Sequence, residues 1–144
     1  MLGARLADAA AAGVYRLPPD LAPTVERASR AQRYGLIEAS FSGLTGKRAL
    51  LEELARAFAL PEWFGYNWDA LSDCLTDLSW KEAPGYVLRI AHAERWLREE
   101  PDDWRVLCDA LRDVSDYWRH EAVPFWTLFE LAEPVPGLAE LVVR

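Results

Sequence analysis

Residues 60–76 read LPEWFGYNWDALSDCLT, and this stretch is the most informative part of the chain. Pro61 disfavours helical geometry at the residue before it, so the preceding helix should close there, and Gly65 then lets the chain turn. Asn67 is a good helix N-cap because its side chain can accept a hydrogen bond from a free backbone N–H. The segment therefore predicts a loop that runs into a helix.

The predicted helix has two different faces. Its apolar residues recur at the helical period, while Asp69, Asp73 and Asp77 repeat every four residues. At about 100° per residue, the aspartates centre nearly opposite the leucines. The helix should therefore bury one face and present an acidic face. The apolar positions are Trp68, Leu71, Leu75 and Leu78.

The acidic face carries an energetic cost. Like charges four residues apart destabilise a helix by about 0.2–0.5 kcal/mol per pair. The helix dipole favours a carboxylate at Asp69 but not at Asp77, and no Lys or Arg lies between Pro61 and Trp80. One interpretation is a solvated helix face, and the other is a surface that binds a basic partner.

Three aromatic residues beside the charges favour binding. Trp63, Phe64 and Tyr66 crowd a loop that contains Gly65. Large aromatic side chains on an exposed loop are typical of a protein-binding surface. The alternative is a loop folded back onto the core, and we expect this to apply to one of the three.

The same segment resembles the signature of the barstar family of intracellular ribonuclease inhibitors. The motifs L-P-E, aromatic-aromatic-G, N-x-D-A-L and D-C-L-T occur at the family's spacing without a gap, and a looser likeness extends over residues 36–131. The resemblance implies an α/β fold with a small parallel β-sheet covered by helices. Residues 36–144 would form this barstar-like domain.

The resemblance also implies roles for individual residues. Asp73 corresponds to the aspartate that enters the nuclease active site, and Asp69 to a second contacting aspartate. Trp63 corresponds to an aromatic that stacks near the catalytic histidine of the nuclease. Asn67 and Gly65 correspond to loop positions that shape the same surface.

Other positions differ from the family or match it less closely. Ser72 stands where the family has an interface tryptophan, and Tyr66 stands where it has a glutamate, so one contact is smaller and one charge is absent. Asp77 completes the acidic face. Asp113 is the best match to a glutamate on the later helix, and an ordinary surface carboxylate is the alternative. These departures leave open whether the partner is barnase itself or another ribonuclease.

Strands alternate with helices along the whole chain, which predicts a parallel sheet. Residues 1–35 lie outside the barstar-like part, and we expect them to add a strand and a crossover helix to the same domain without a role in binding. The last seven residues should form a short tail, whose structure the sequence does not specify. Strands are expected at 14–17, 36–42, 86–90 and 123–131, and helices at 20–34, 47–59, from 68, at 92–99 and from 101.

Composition limits the function classes. The net charge of −7 would repel nucleic-acid phosphates, so we expect no direct nucleic-acid binding and favour a basic protein partner. The apolar N-terminus contains Arg5 and Asp8 and is too short to span a bilayer, which predicts a cytoplasmic protein without membrane association. Cys74 and Cys108 have no C-x-x-C spacing and should be reduced core thiols.

No catalytic motif is present in the sequence. His92 and His120 lie in separate segments, and no P-loop, G-x-S-x-G or H-E-x-x-H occurs. Asp69 and Asp73 could be read as an acid–base pair or as cation ligands, but they sit on one ridge and lack the further carboxylates of a cation cage. We therefore predict no enzyme, no cofactor and no metal.

The functional prediction is a protein inhibitor of a small basic ribonuclease, either a toxin or a secreted enzyme. Carboxylates on a rigid helix would occupy the cleft that holds RNA phosphate, with the aromatic loop beside them. The alternative is an immunity or regulatory module of the same fold that binds a different basic protein.

Overall fold

The computed structural model describes residues 2–142, in which five parallel strands carry helices on both faces. The strand order is β2-β3-β4-β1-β5, and residues of four strands lie side by side in the order Ile37, Leu88, Thr127 and Val14. The strands are β1 Val14–Leu17, β2 Gly35–Ser40, β3 Tyr86–Ala91, β4 Phe125–Glu130 and β5 Ala139–Glu140. The helices are α1 Leu2–Leu6, α2 Ala22–Ala31, α3 Gly46–Phe58, α4 Trp68–Leu75, α5 Glu94–Glu99 and α6 Pro101–His120.

The chain connectivity explains why both faces are covered. The steps from β2 to β3 and from β3 to β4 run in one direction across the sheet, whereas the step from β1 to β2 runs back. Crossovers between parallel strands are almost always right-handed, so the two directions place their helices on opposite faces. Accordingly, α3, α4 and α6 contribute to one buried cluster, and α1 and α2 contribute to another.

The larger cluster holds the helices that carry the predicted site. Residues at helical spacing on α3, α4 and α6 are fully buried against the sheet. The stacked rings of Phe58 and Phe125 join α3 to β4, with centroids 6.4 Å apart. This packing fixes α4 on the sheet. The helical members include Leu50, Leu54, Leu71, Leu75, Leu107 and Leu111.

The smaller cluster attaches the N-terminal strand–helix unit to the family-like part of the sheet. Trp126 of β4 is fully buried there, and its indole N–H donates to the carbonyl of Leu6 at 3.0 Å. The hydroxyl of Tyr34 donates to the same carbonyl at 3.0 Å. The Tyr34 ring also packs so closely on Gly85 that a Cβ there would lie 2.6 Å from it. The second face of the sheet is therefore closed by residues that precede β2.

The predicted parallel α/β fold and its first four strands are confirmed. The tail expected at residues 138–144, for which the sequence specifies no structure, contains β5, which pairs with β1, while residues 143 and 144 lie outside the described chain. Arg16 of β1 forms an ion pair with Glu140 of β5, which fixes this edge. A two-residue strand is too short to show a periodic pattern in sequence.

Two helix boundaries also differ from prediction. The helix expected at 20–34 is a 3-10 turn, Pro19–Leu21, followed by α2, and the chain leaves α2 through Arg33, which has a φ of 60°. The helix expected at 92–99 begins at Glu94, since His92 has a φ of 59°. Each positive φ is incompatible with continuing a right-handed helix.

Both cysteines are free and buried, as predicted. Burial is the main cause that raises the pKa of the Cys108 thiol to about 12. Across residues 2–142, no helix combines the length and the apolar character needed to cross a bilayer.

Candidate protein-binding surface

The segment 60–67, here called the aromatic loop, begins where α3 ends. Ala59 leaves that helix with a φ of 52°, and the indole N–H of Trp80 donates to the carbonyl of Phe58 at 2.9 Å. This bond satisfies one of the carbonyls that a helix leaves free at its C-terminus. The loop therefore starts from a fixed point on the core.

The three aromatic residues of the loop have different environments. Phe64 is only 4% exposed and packs in the core, whereas Trp63 is 66% exposed. Tyr66 is half-buried. Its ring centroid lies 4.7 Å from that of Phe64, and the central carbon of the Arg48 guanidinium lies 4.0 Å from the Tyr66 centroid. The prediction that one aromatic folds back onto the core is confirmed for Phe64. Trp63 is the aromatic side chain that the loop exposes to solvent.

Asn67 caps α4, as predicted. Its side-chain oxygen accepts from the backbone N–H of Ala70 at 2.8 Å, and its side-chain amide donates to the carbonyl of Gly65 at 3.3 Å. A Cβ at Gly65 would lie 3.3 Å from that amide nitrogen, so a larger residue would crowd the cap. Together these contacts fix the direction in which α4 leaves the loop.

We expect Asn67→Ala to lower the free energy of unfolding by about 1 kcal/mol, because the N–H of Ala70 loses its acceptor. Asn67→Asp keeps an acceptor at this position and should be close to wild type. Urea unfolding of the three proteins measures the difference. Equal stability of Asn67→Ala and wild type would mean that the cap does not hold α4.

The two faces predicted for α4 are present. Leu71, Cys74 and Leu75 are buried, while Asp69 and Asp73 are exposed. The carbonyl of Leu75 accepts from the indole N–H of Trp118 on α6 at 2.8 Å. The acidic helix is therefore held at its N-terminus by Asn67 and at its C-terminus by α6, and its carboxylates project from a rigid backbone.

The prediction that Asp77 belongs to the same helix is wrong. The helix ends at Leu75, and the backbone N–H groups of Asp77 and Leu78 both bond to the carbonyl of Cys74. Leu78 has a φ of 50° and still reaches the core, where it is buried. Asp77 is exposed in the turn that follows α4, so it adds charge beside the helix rather than on it.

The acidic charge is not compensated locally. In the described part of the chain, Asp69, Asp73 and Asp77 take part in no ion pair, although ion pairs occur on many other surfaces. Burial is the largest cause that raises the pKa of the Cys74 thiol, and the negative charges of Asp73 and Asp77 raise it further. The negative potential around α4 therefore reaches a buried neighbour and is available to an approaching cation.

The remaining predicted residues lie around α4. Ser72 is half-buried on the helix itself, and its carbonyl accepts from the Thr76 hydroxyl at 2.8 Å. Asp113 is exposed on α6, the helix that packs on α4. Tyr117, one turn further along α6, is 43% exposed and was not predicted. The buried residues of α6 include Leu107, Leu111 and Val114, and position 117 falls outside this heptad pattern. The pattern alone therefore indicates that Tyr117 is exposed.

The surface has the shape of a ridge rather than a pocket. The clearest cavities, of 220–300 Å³, are lined by residues of α5, α6, the sheet and the C-terminal segment rather than by the aromatic loop or α4. Among residues 2–142, no group of three His, Cys, Asp or Glu side chains could hold a metal ion. Small ligands are usually enclosed in concave sites, so this arrangement suits a protein partner.

The comparison with protein families agrees with this geometry. The family described as Barstar (barnase inhibitor) matches residues 34–130. The matched region begins just before β2, ends with β4, and contains the aromatic loop, α4 and α6. A search of curated proteins found no match.

Proposed function

The chain belongs to the barstar family, and we propose that it inhibits a small basic ribonuclease by covering the active site with α4 and the aromatic loop. Membership of a family of barnase inhibitors supports a ribonuclease-inhibitor role in general. The observation that carries the specific proposal is the pair Asp69 and Asp73, which are exposed and without ion pairs in the described chain on a helix fixed at both ends.

The chemistry of ribonucleases explains why such a helix would bind. Their active sites use cationic side chains to stabilise the charge that develops on the phosphate. A carboxylate on α4 can occupy the place of that phosphate, but it offers no bond for the enzyme to cleave. Because the helix is already ordered, its carboxylates lose less conformational entropy on docking than carboxylates on a mobile loop would.

The individual residues have distinct roles in this proposal. Asp73, at the middle of the exposed face, enters the active site, while Asp69 in the first turn makes a second contact. Trp63 provides an exposed aromatic anchor beside the charges. Asn67 and Gly65 hold the geometry of the loop. The list of partner-facing positions is completed by Tyr66, Ser72, Asp77 and Asp113.

A second candidate function is binding of a different basic protein by the same surface. The observation that favours it is the environment of the two positions that depart from the family. Tyr66 is occupied by contacts with Phe64 and Arg48, and Ser72 is small and half-buried. The contacts made there by a family member with glutamate and tryptophan would be absent, which changes the shape required of the partner.

The proposed function is tested by titrating barnase and other small basic microbial ribonucleases with the protein and following RNA cleavage. We expect at least one enzyme to be inhibited at a one-to-one ratio. Tight binding to a basic protein without ribonuclease activity, together with no inhibition in the ribonuclease panel, would instead establish the second candidate.

The association rate should depend strongly on salt. The protein carries a net charge of −7, and its acidic surface would steer a basic enzyme towards α4. We expect the association rate constant to fall by about tenfold or more between ionic strengths of about 0.01 M and about 0.15 M, where the Debye length falls from about 30 Å to about 8 Å. Stopped-flow measurements test this, and a rate independent of salt would contradict electrostatic steering.

A further inference from the structure

Helix α6 exposes two large apolar side chains along one stripe. Val106 is 40% exposed and Tyr117 is 43% exposed. They are eleven residues apart, which brings them to within about 20° of each other around the helix and about 16 Å apart along it. Asp113 lies on the same stripe, one turn before Tyr117. The stripe therefore combines exposed apolar surface with negative charge.

The position of Tyr117 relative to α4 follows from its neighbour Trp118. The indole N–H of Trp118 donates to the carbonyl of Leu75, the last residue of α4, at 2.8 Å. The Tyr117 ring stands perpendicular to the Trp118 ring, with centroids 5.2 Å apart. Tyr117 therefore lies near the C-terminal end of α4, whereas Trp63 belongs to the loop at its N-terminal end.

We propose that Tyr117 is a second aromatic contact for the basic ribonuclease, on α6 beside Asp113. This inference rests on the proposed function. Trp63 and Tyr117 bracket a helix of about 12 Å that carries Asp69 and Asp73. An aromatic anchor at each end of a charged ridge excludes water from the ion pairs between them, and such surroundings characterise binding hot spots.

The chemistry of tyrosine suits a basic partner. The face of its ring attracts Lys and Arg side chains, and its hydroxyl can donate or accept a hydrogen bond. Asp113, one turn away, adds a negative charge that such a side chain can also approach. Because the edge-to-face contact with Trp118 already orients the ring, little rotamer entropy remains to be lost on binding.

The inference is tested with Tyr117→Ala and a matched control, Val106→Ala. Both changes remove an exposed apolar side chain from the same stripe and leave the net charge unchanged. We expect Tyr117→Ala to raise the dissociation rate constant of the ribonuclease complex at least about tenfold with little change in the association rate constant. Val106→Ala, about 16 Å further from the end of α4, should change either constant less than about twofold.

Thermal unfolding of both variants shows whether the fold is retained. Hydroxyl-radical footprinting of the wild-type complex is a second measurement that needs no variant, and it should show protection of Tyr117 on binding. Inhibition by wild type with an unchanged dissociation rate in Tyr117→Ala, or with Tyr117 unprotected, would overturn this inference and leave the proposed function intact. Absence of inhibition by wild type would overturn the proposed function itself.

Discussion

Replacement of Asp73 by asparagine is expected to weaken inhibition of the cognate ribonuclease at least about a hundredfold, which corresponds to about 2.8 kcal/mol of binding free energy. Asparagine keeps the size of the side chain but removes the charge that would replace the RNA phosphate. The basic groups of the enzyme would then be desolvated without a full ionic partner. The inhibition constant, obtained from RNA cleavage at fixed ionic strength, measures this loss.

The matched control is Asp20→Asn. Asp20 is exposed in the 3-10 turn after β1 and has no ion pair within residues 2–142. Both substitutions change the net charge by the same amount, so a general loss of acidity would affect them equally. We expect Asp20→Asn to change the inhibition constant less than about threefold. Equal losses in the two variants would show that Asp73 makes no specific contact with the enzyme.

The parts of the site that depend on local chemistry could be predicted from the sequence. The cap by Asn67 needs only a side-chain acceptor three residues before a free backbone N–H. The buried face of α4 follows from the spacing of Leu71 and Leu75, because the helical period alone determines which residues share a face. Neither feature requires knowledge of the surrounding elements.

The end of α4 could not be predicted, because distant residues decide it. The periodic pattern continues through Asp77 and Leu78, but the carbonyl of Leu75 is bonded to Trp118, which is 43 residues away in the chain. Leu78 reaches the core from a positive φ rather than from another helical turn. Helical spacing predicts that a hydrophobic residue is buried. It does not show whether the residue reaches the core on a further helical turn or from a turn with a positive φ.

The orientation of the aromatic side chains in the loop could not be predicted from the sequence either. Trp63 and Phe64 are adjacent and equally able to fill a core, yet one is exposed and the other buried. The difference depends on the path of the backbone, which includes a φ of 51° at Tyr66. Arg48 on α3 lies over the Tyr66 ring, and no local pattern connects these two positions.

Deletion of residues 1–33 is expected to abolish the cooperative unfolding transition of the chain. These residues supply α1, β1 and α2, and their removal would expose the buried face of β3 and β4, including Val87, Trp126 and Leu128. Exposure of a large apolar side chain costs about 1.5–3 kcal/mol, and whole domains are stable by only about 5–15 kcal/mol. Near-UV circular dichroism during heating measures whether a cooperative transition remains.

A point variant separates this loss from mild destabilisation. Leu6→Ala removes one buried side chain of the smaller cluster but leaves β1 paired with β4, so it should lower the free energy of unfolding by about 2–5 kcal/mol while the native signal is retained. The helices of the N-terminal unit cover the face of the sheet opposite α4, so this destabilised but folded variant should still inhibit the ribonuclease. If the truncated chain instead unfolded cooperatively and inhibited the enzyme, the region matched by the family would fold alone, and the first 33 residues would be an appendage to it.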